Sequence, residues 1–161
     1  MLVVNKKTKF NNKLNKIHMF VFDFLKQDRQ KLKVNLFFVS KLRIKNINCK
    51  FRNINKTTDV LSFPYTNCKP NETICIDEYK NFVNHEDGTL DIGDIFISLA
   101  VAKKKAREYN FTLSDEVGFL YVHALLHLFG YDHIKEDDQK IMEDLQQKIM
   151  RDSNLFEVIY E

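Results

Sequence analysis

The chain is expected to fold as one ordered domain that mixes helices with short strands around a single buried helix. Three observations lead there. The 161 residues are 44% hydrophobic with only 4 Gly and 2 Pro, enough apolar material for one core and too little flexibility for disorder. Segments with helical periodicity alternate with short runs rich in Val, Leu, Ile and Phe. The stretch Val117 to Phe129 is apolar almost all round, so a helix there has to run through the middle of the domain.

Taken in order, Leu2 to Val4 fits an edge strand, and a polar Asn/Lys-rich stretch follows to Lys16. Ile17, Phe20, Val21, Phe24 and Leu25 share one helical face, which predicts an amphipathic helix over 17–25. His18 lies beside that stripe as a surface or packing residue. Leu32 to Val39 reads as a strand covered on both faces. Ser40 can cap a short helix carrying Leu42, Ile44 and Ile47. Phe51 to Pro64 starts as polar loop and ends as a short strand stopped by Pro64; on composition alone Arg52 is one more surface cation. Residues 65–90 are the least regular, with a turn at Asp87-Gly88, a brief strand at Ile74-Cys75-Ile76, and His85 on the loop surface.

Asp91 to Ile97 alternates loosely and reads as a strand. Ser98 is placed to cap a helix to about Tyr109, with Leu99, Ala102 and Ala106 inward. Thr112 or Ser114 opens the central helix, and Asp115 and Glu116 suit its positive N-terminal end. A last helix begins at the acidic Lys135 to Asp138 and carries the stripe Ile141, Met142, Leu145 and Ile149.

The chemistry concentrates at Tyr121 to His133, which holds three of the 5 histidines. His123 and His127 leave one face of the central helix a turn apart. Gly130 stands where a helix that must stop can turn left-handed, so that His133 can come back towards the other two. Three neutral imidazoles with an open fourth position suit a catalytic zinc, about one ion per chain. The spacing is that of the metzincin peptidases, but Ala124 stands where those enzymes place their general-base Glu.

Charge is divided unevenly along the chain. Residues 1–56 hold 15 Lys or Arg against Asp23 and Asp28 alone, which leaves 10 basic and 20 acidic residues for the remainder. The first part could present a positive field to a polyanion such as RNA, or its lysines could simply solvate surface. Cys49, Cys68 and Cys75 form no Cys-x-x-Cys pair, which favours reduced thiols and a cytoplasmic location. The N-terminus lacks the apolar core of a secretory signal, and no apolar run approaches the roughly 18 residues of a membrane span, so no membrane association is expected.

Two stretches resemble the signatures of the YbeY family. One is Thr58-Asp59-Val60-Leu61-Ser62-Phe63-Pro64, preceded by Phe51-Arg52; the other runs from His123 through His127, Gly130, Tyr131 and Asp132 to His133. Asp91-Ile92-Gly93-Asp94-Ile95 resembles a third, weaker one, and the likeness spans roughly residues 30–150. Two departures are Ala124, where the family usually has Gly, and Lys56-Thr57, where it often has Lys-Pro.

The resemblance implies an α+β fold over 1–161, a small mixed sheet flanked by helices, with a metzincin-like central helix carrying three histidines on zinc. It implies a single-strand-preferring endoribonuclease of small-subunit ribosomal RNA 3′-end maturation and ribosome quality control, with ribosomal RNA, the ribosome or ribosomal proteins as partners. It also implies that Arg52 faces the metal cleft and acts in cleavage. Zinc on three imidazoles can bring the pKa of a water to about 7 and polarise a phosphoryl oxygen. The general base is left open among the ionised water itself, Asp132, and none, with the RNA 2′-hydroxyl attacking. A zinc metallopeptidase, or a non-catalytic RNA- or ribosome-binding module braced by the metal, are the competing readings.

Overall fold

The computed structural model describes residues 1–157; the last four residues of the expected 1–161 domain lie outside them. The element order is β1 (Leu2–Val4), α1 (Asn11–Phe24), β2 (Leu32–Phe38), α2 (Lys41–Arg52), β3 (Val60–Pro64), a 3-10 segment (Ile76–Phe82), β4 (Leu90–Ile97), α3 (Leu99–Glu108), α4 (Leu113–Leu128) and α5 (Glu136–Ser153). The strands form one mixed sheet in the order β1-β2-β4-β3. β2 is parallel to β1 and to β4, while β3 runs antiparallel to β4. This is the expected α+β arrangement, a small mixed sheet flanked by helices.

α4 is buried along most of its length and packs against β3, β4, α1, α3 and α5. Thr112 caps it, the hydroxyl accepting a 3.0 Å bond from the Asp115 amide. The Asp115 carboxylate is itself fully buried and ion-pairs with Lys13 of α1. A buried charge is tolerable only when paired, so this contact ties α1 to the start of α4.

The loose alternation of β4 has a specific cause. The register with β2 shifts at Lys33/Val34, where Lys33 faces Asp91 and Val34 faces Gly93, leaving Ile92 as the extra residue of a bulge. Leu90, Ile92, Ile95 and Ile97 can therefore all be buried. Gly93 is required there, because a Cβ would stand 2.6 Å from both the Phe63 carbonyl and the Leu128 side chain.

Four local expectations need correction. α1 starts at Asn11 rather than Ile17; Phe10 and Leu14 continue the face of Ile17 and Val21 and are buried with them, so packing overrides the polar neighbours. β2 is buried on one face only, through Leu32, Val34, Leu36 and Phe38, because its other face is only partly covered. α2 continues through Phe51 to Arg52 and ends where Asn53 turns left-handed. Asn48 does not break it: buried, its amide reaches the Lys56 carbonyl at 2.8 Å and holds the following loop. Residues 74–76 form no strand, since the Ile74 amide is taken at 3.0 Å by the Gln27 side chain instead of a neighbouring strand.

Ser98 occupies the capping position of α3, but its side chain makes no capping bond. His18 is a packing residue, buried, with Nδ1 2.8 Å from the Tyr121 hydroxyl. Burial, reinforced by the positive N-terminus, holds its pKa down at about 3. The unfolded chain, with an ordinary histidine near 6.5, therefore binds a proton that the native state refuses. Stability should fall as pH drops below about 6.5, and His18 should keep contributing to that loss down to about 3. His18→Asn should flatten the dependence of the urea midpoint on pH between about 6.5 and 5, where few carboxylates titrate. An unchanged slope would mean that His18 is not held neutral in the native state.

Candidate metal centre

The central helix brings His123 and His127 onto one face, and the turn after it returns His133 to them. Gly130 makes that turn at φ +84°, and a Cβ there would lie 2.0 Å from the Cys68 carbonyl. Only glycine meets both demands. The ring centroids of His123, His127 and His133 lie 4.7, 5.5 and 5.0 Å apart, and one nitrogen from each falls within 4.8 Å of the others.

Two of the three rings have a fixed proton. Gln146 of α5 donates its amide to the Phe119 carbonyl at 3.2 Å and so turns its oxygen towards His123 Nδ1, 3.1 Å away. His127 Nδ1 donates to the Tyr131 carbonyl at 2.9 Å. Each Nδ1 thus carries the hydrogen, and each Nε2 is left with its lone pair. Those two lone pairs face each other across 3.1 Å, an unfavourable arrangement unless a cation lies between them. Tetrahedral zinc–imidazole bonds place two nitrogens about 3.3 Å apart. The donor set therefore fits a divalent metal. Burial lowers the pKa of His127 to about 4, helped by the other two histidines, and burial likewise lowers that of His123.

Arg52 reaches the same place from the end of α2. It lines a cavity of about 240 Å³ together with His123, His127 and His133, and an adjoining one of about 420 Å³ with His127, Asp132 and His133. One guanidinium N–H donates to the Ser62 carbonyl at 3.2 Å, and the group lies 5.8 Å from the Phe63 ring centroid. The rest of the fork is left for an anion. His85, in contrast, is exposed outside the cleft linings.

Among the described residues, two carboxylates line the cleft, Asp59 and Asp132. Asp59 is buried and engaged by Lys105, by the Val60 amide at 2.9 Å and by the Thr58 hydroxyl at 3.2 Å. Asp132 is exposed at the rim and accepts from the His133 amide at 2.7 Å. Ala124 also lines the cavity and offers neither donor nor acceptor.

Gln146 was not singled out from sequence, although a signal was present. It falls one turn from both Met142 and Ile149, so it is a polar residue on the apolar stripe of α5, and it is buried with them. Asp59 stands out in the sequence only as part of a motif, and nothing local announces its partner Lys105, on α3. Among the described residues, no helix is long and apolar enough to cross a membrane.

Comparison with known proteins agrees with this arrangement over nearly the whole length. The family described as Endoribonuclease YbeY matches residues 3–154, including the N-terminal part that the sequence motifs left out. The Endoribonuclease YbeY of Mycoplasma capricolum is 40% identical over 156 residues, covering 97% of this chain and 85% of that one. Its counterpart in Clostridium botulinum is 36% identical over 156 residues, covering 92% and 93%. The solution structure of TM1509 from Thermotoga maritima superposes with a TM-score of 0.59 at 25% identity, over 95% of this chain and 89% of that one. With a match of this extent, and with a cleft in which three convergent histidines meet Arg52, the chain belongs to the YbeY endoribonuclease family.

Proposed function

We propose that the chain is a zinc-dependent endoribonuclease of the cytoplasm that cuts single-stranded RNA. Its proposed substrate is ribosomal RNA, in maturation of the small-subunit 3′ end and in ribosome quality control. The observation that carries this reading is the single cleft that holds both the imidazole cluster and the Arg52 guanidinium. Three free cysteines support a reducing compartment.

His123, His127 and His133 would hold the zinc, which supplies Lewis acidity towards a phosphoryl oxygen and a more acidic water. The protein's own groups account for the rest. Gln146 and the Tyr131 carbonyl keep two imidazoles aimed and neutral. The free side of the Arg52 fork can grip a phosphodiester and meet the charge that develops on its oxygens during cleavage. Asp59 is occupied by its three partners, which leaves Asp132 as the cleft carboxylate able to take a proton. Ala124 can take none, and this weighs against a peptidase mechanism.

Single-turnover cleavage of a ribosomal RNA fragment by the zinc-loaded protein tests the reading, with an unfolded protein substrate as control. Arg52→Ala should lower RNA cleavage by a factor of about 10²–10³, the range for removing one transition-state charge stabiliser. Zinc content and thermal midpoint should stay near the parental values. Arg52→Lys should recover only part, because an ammonium lacks the bidentate fork. Parental cleavage by Arg52→Ala would remove Arg52 from the mechanism, and protein cuts without RNA cuts would reverse the assignment to a peptidase.

Metal content is checked separately by elemental analysis. About one zinc per chain is expected, and it should be lost when His123, His127 and His133 are all replaced by Ala. Gln146→Leu should retain the fold and weaken zinc affinity by about 10–100-fold, the usual effect of removing the group that orients a ligand. Unchanged zinc in the triple variant would place the metal elsewhere.

A further inference from the structure

The basic excess of the first third of the sequence is not evenly available at the surface. Lys13 is taken by Asp115, Arg29 by Asp23 and Lys33 by Asp91. Lys6, Lys7, Lys9, Lys16, Lys26, Lys31 and Lys56 are spread over other segments, whereas α2 gathers Lys41, Arg43, Lys45, Lys50 and Arg52 on one helix with no acidic residue. Among the described residues, none of these five takes part in an ion pair.

Beside these cations runs a chain of aromatic rings on the sheet face opposite α4. Phe37 and Phe96 are cross-strand partners stacked at 4.9 Å. Phe96 meets Phe63 at 5.8 Å, and Phe63 meets Phe51 at 5.4 Å. Phe51 ends the chain with 60% of its surface exposed. The Lys50 ammonium lies 5.1 Å from the Phe51 centroid. Between α2 and β4 a cavity of about 310 Å³ is lined by Arg43, Asn46, Ile47, Lys50, Phe51 and Phe96. The carboxylates on the same sheet face are engaged: Asp91 by Lys33, and Asp94 by Asn35 and the Tyr65 hydroxyl.

We propose that this groove is a track for single-stranded RNA extending from the metal cleft. The inference rests on the endoribonuclease reading and specifies where the substrate lies beyond the scissile bond. Two features favour a nucleic-acid strand over other occupants. Unpaired cations beside an exposed aromatic ring, Phe51, and the half-buried rings behind it are what a strand needs for its phosphates and its unstacked bases. The track is also continuous with the cleft, because Arg52 lines the cleft while its guanidinium lies over Phe63, the third ring of the chain. Binding here depends on stacking and charge rather than base edges, so it would tolerate many sequences.

The test is fluorescence anisotropy with the zinc-loaded protein and labelled 2′-O-methyl oligouridines of about 12 and about 4 nucleotides, the shorter reaching little beyond the cleft. Phe51→Ala should weaken the longer oligomer about tenfold, leave the shorter one unchanged, and leave the salt dependence as it was. Phe51→Tyr should restore affinity. Lys50→Ala should weaken the longer oligomer and reduce the slope of log K against log salt by about 0.7, the value for one phosphate contact on a single strand. Parental affinity in both Phe51→Ala and Lys50→Ala would overturn the track and leave the face to a protein partner. Equal losses on both lengths would overturn it too. Cleavage of unmodified oligouridine by the parental protein reports separately on the nuclease reading. Length-dependent binding without cuts would keep the track and sink the nuclease, whereas cuts with unaffected binding would do the reverse.

Discussion

Burying α4 on nearly every side obliges its polar side chains to find partners within the protein, and the candidate metal site follows from how His123 and His127 do so. An imidazole in an apolar interior is driven to its neutral form, and a neutral imidazole has one donor and one acceptor to place. Here the donors go to Gln146 and to the Tyr131 carbonyl, and the acceptors converge. The burial that stabilises the helix is thus also what prepares the ligands. The remaining elements support that arrangement: the Lys13–Asp115 pair anchors the start of α4, and Gly130 permits the return to His133.

What could be read from the sequence depended on how local the relevant contacts were. The histidine cluster was legible because two of its members are one helical turn apart and the third follows a single turn. The strands β1, β3 and β4 were legible from residue type and from Pro64. Gln146 was hidden because its partner His123 lies on a different helix, and periodicity marks a face without saying what it meets. α2 was foreshortened for a related reason: its asparagines argue against a helix locally, but Asn48 is spent on the Lys56 carbonyl, a contact across the helix end. Arg52 consequently looked like a loop cation, whereas it stands on the last turn of a rigid element.

The rigidity of that last turn matters for the cleft. A guanidinium projecting from a helix end, bonded to Ser62 and resting near the Phe63 ring, needs less reorganisation to meet a phosphate than one on a mobile loop. The uneven charge along the chain resolves in the same region. Lys13, Arg29 and Lys33 are paired with acids in the folded protein, and five of the cations left without such partners lie together on α2, whose last residue, Arg52, stands beside the histidines.

The fixed tautomers have a consequence for how the site fills. Ligands that are protonated at rest must shed protons as they take up a metal, which makes affinity sensitive to acidity. His123 and His127 are already neutral and aimed, with their pKa values depressed. Near neutrality, a metal taken up here would displace fewer hydrogen ions from these two side chains than from ordinary exposed imidazoles. Occupancy at this pair would then follow the supply of free metal more than any mild acidification of the compartment around it.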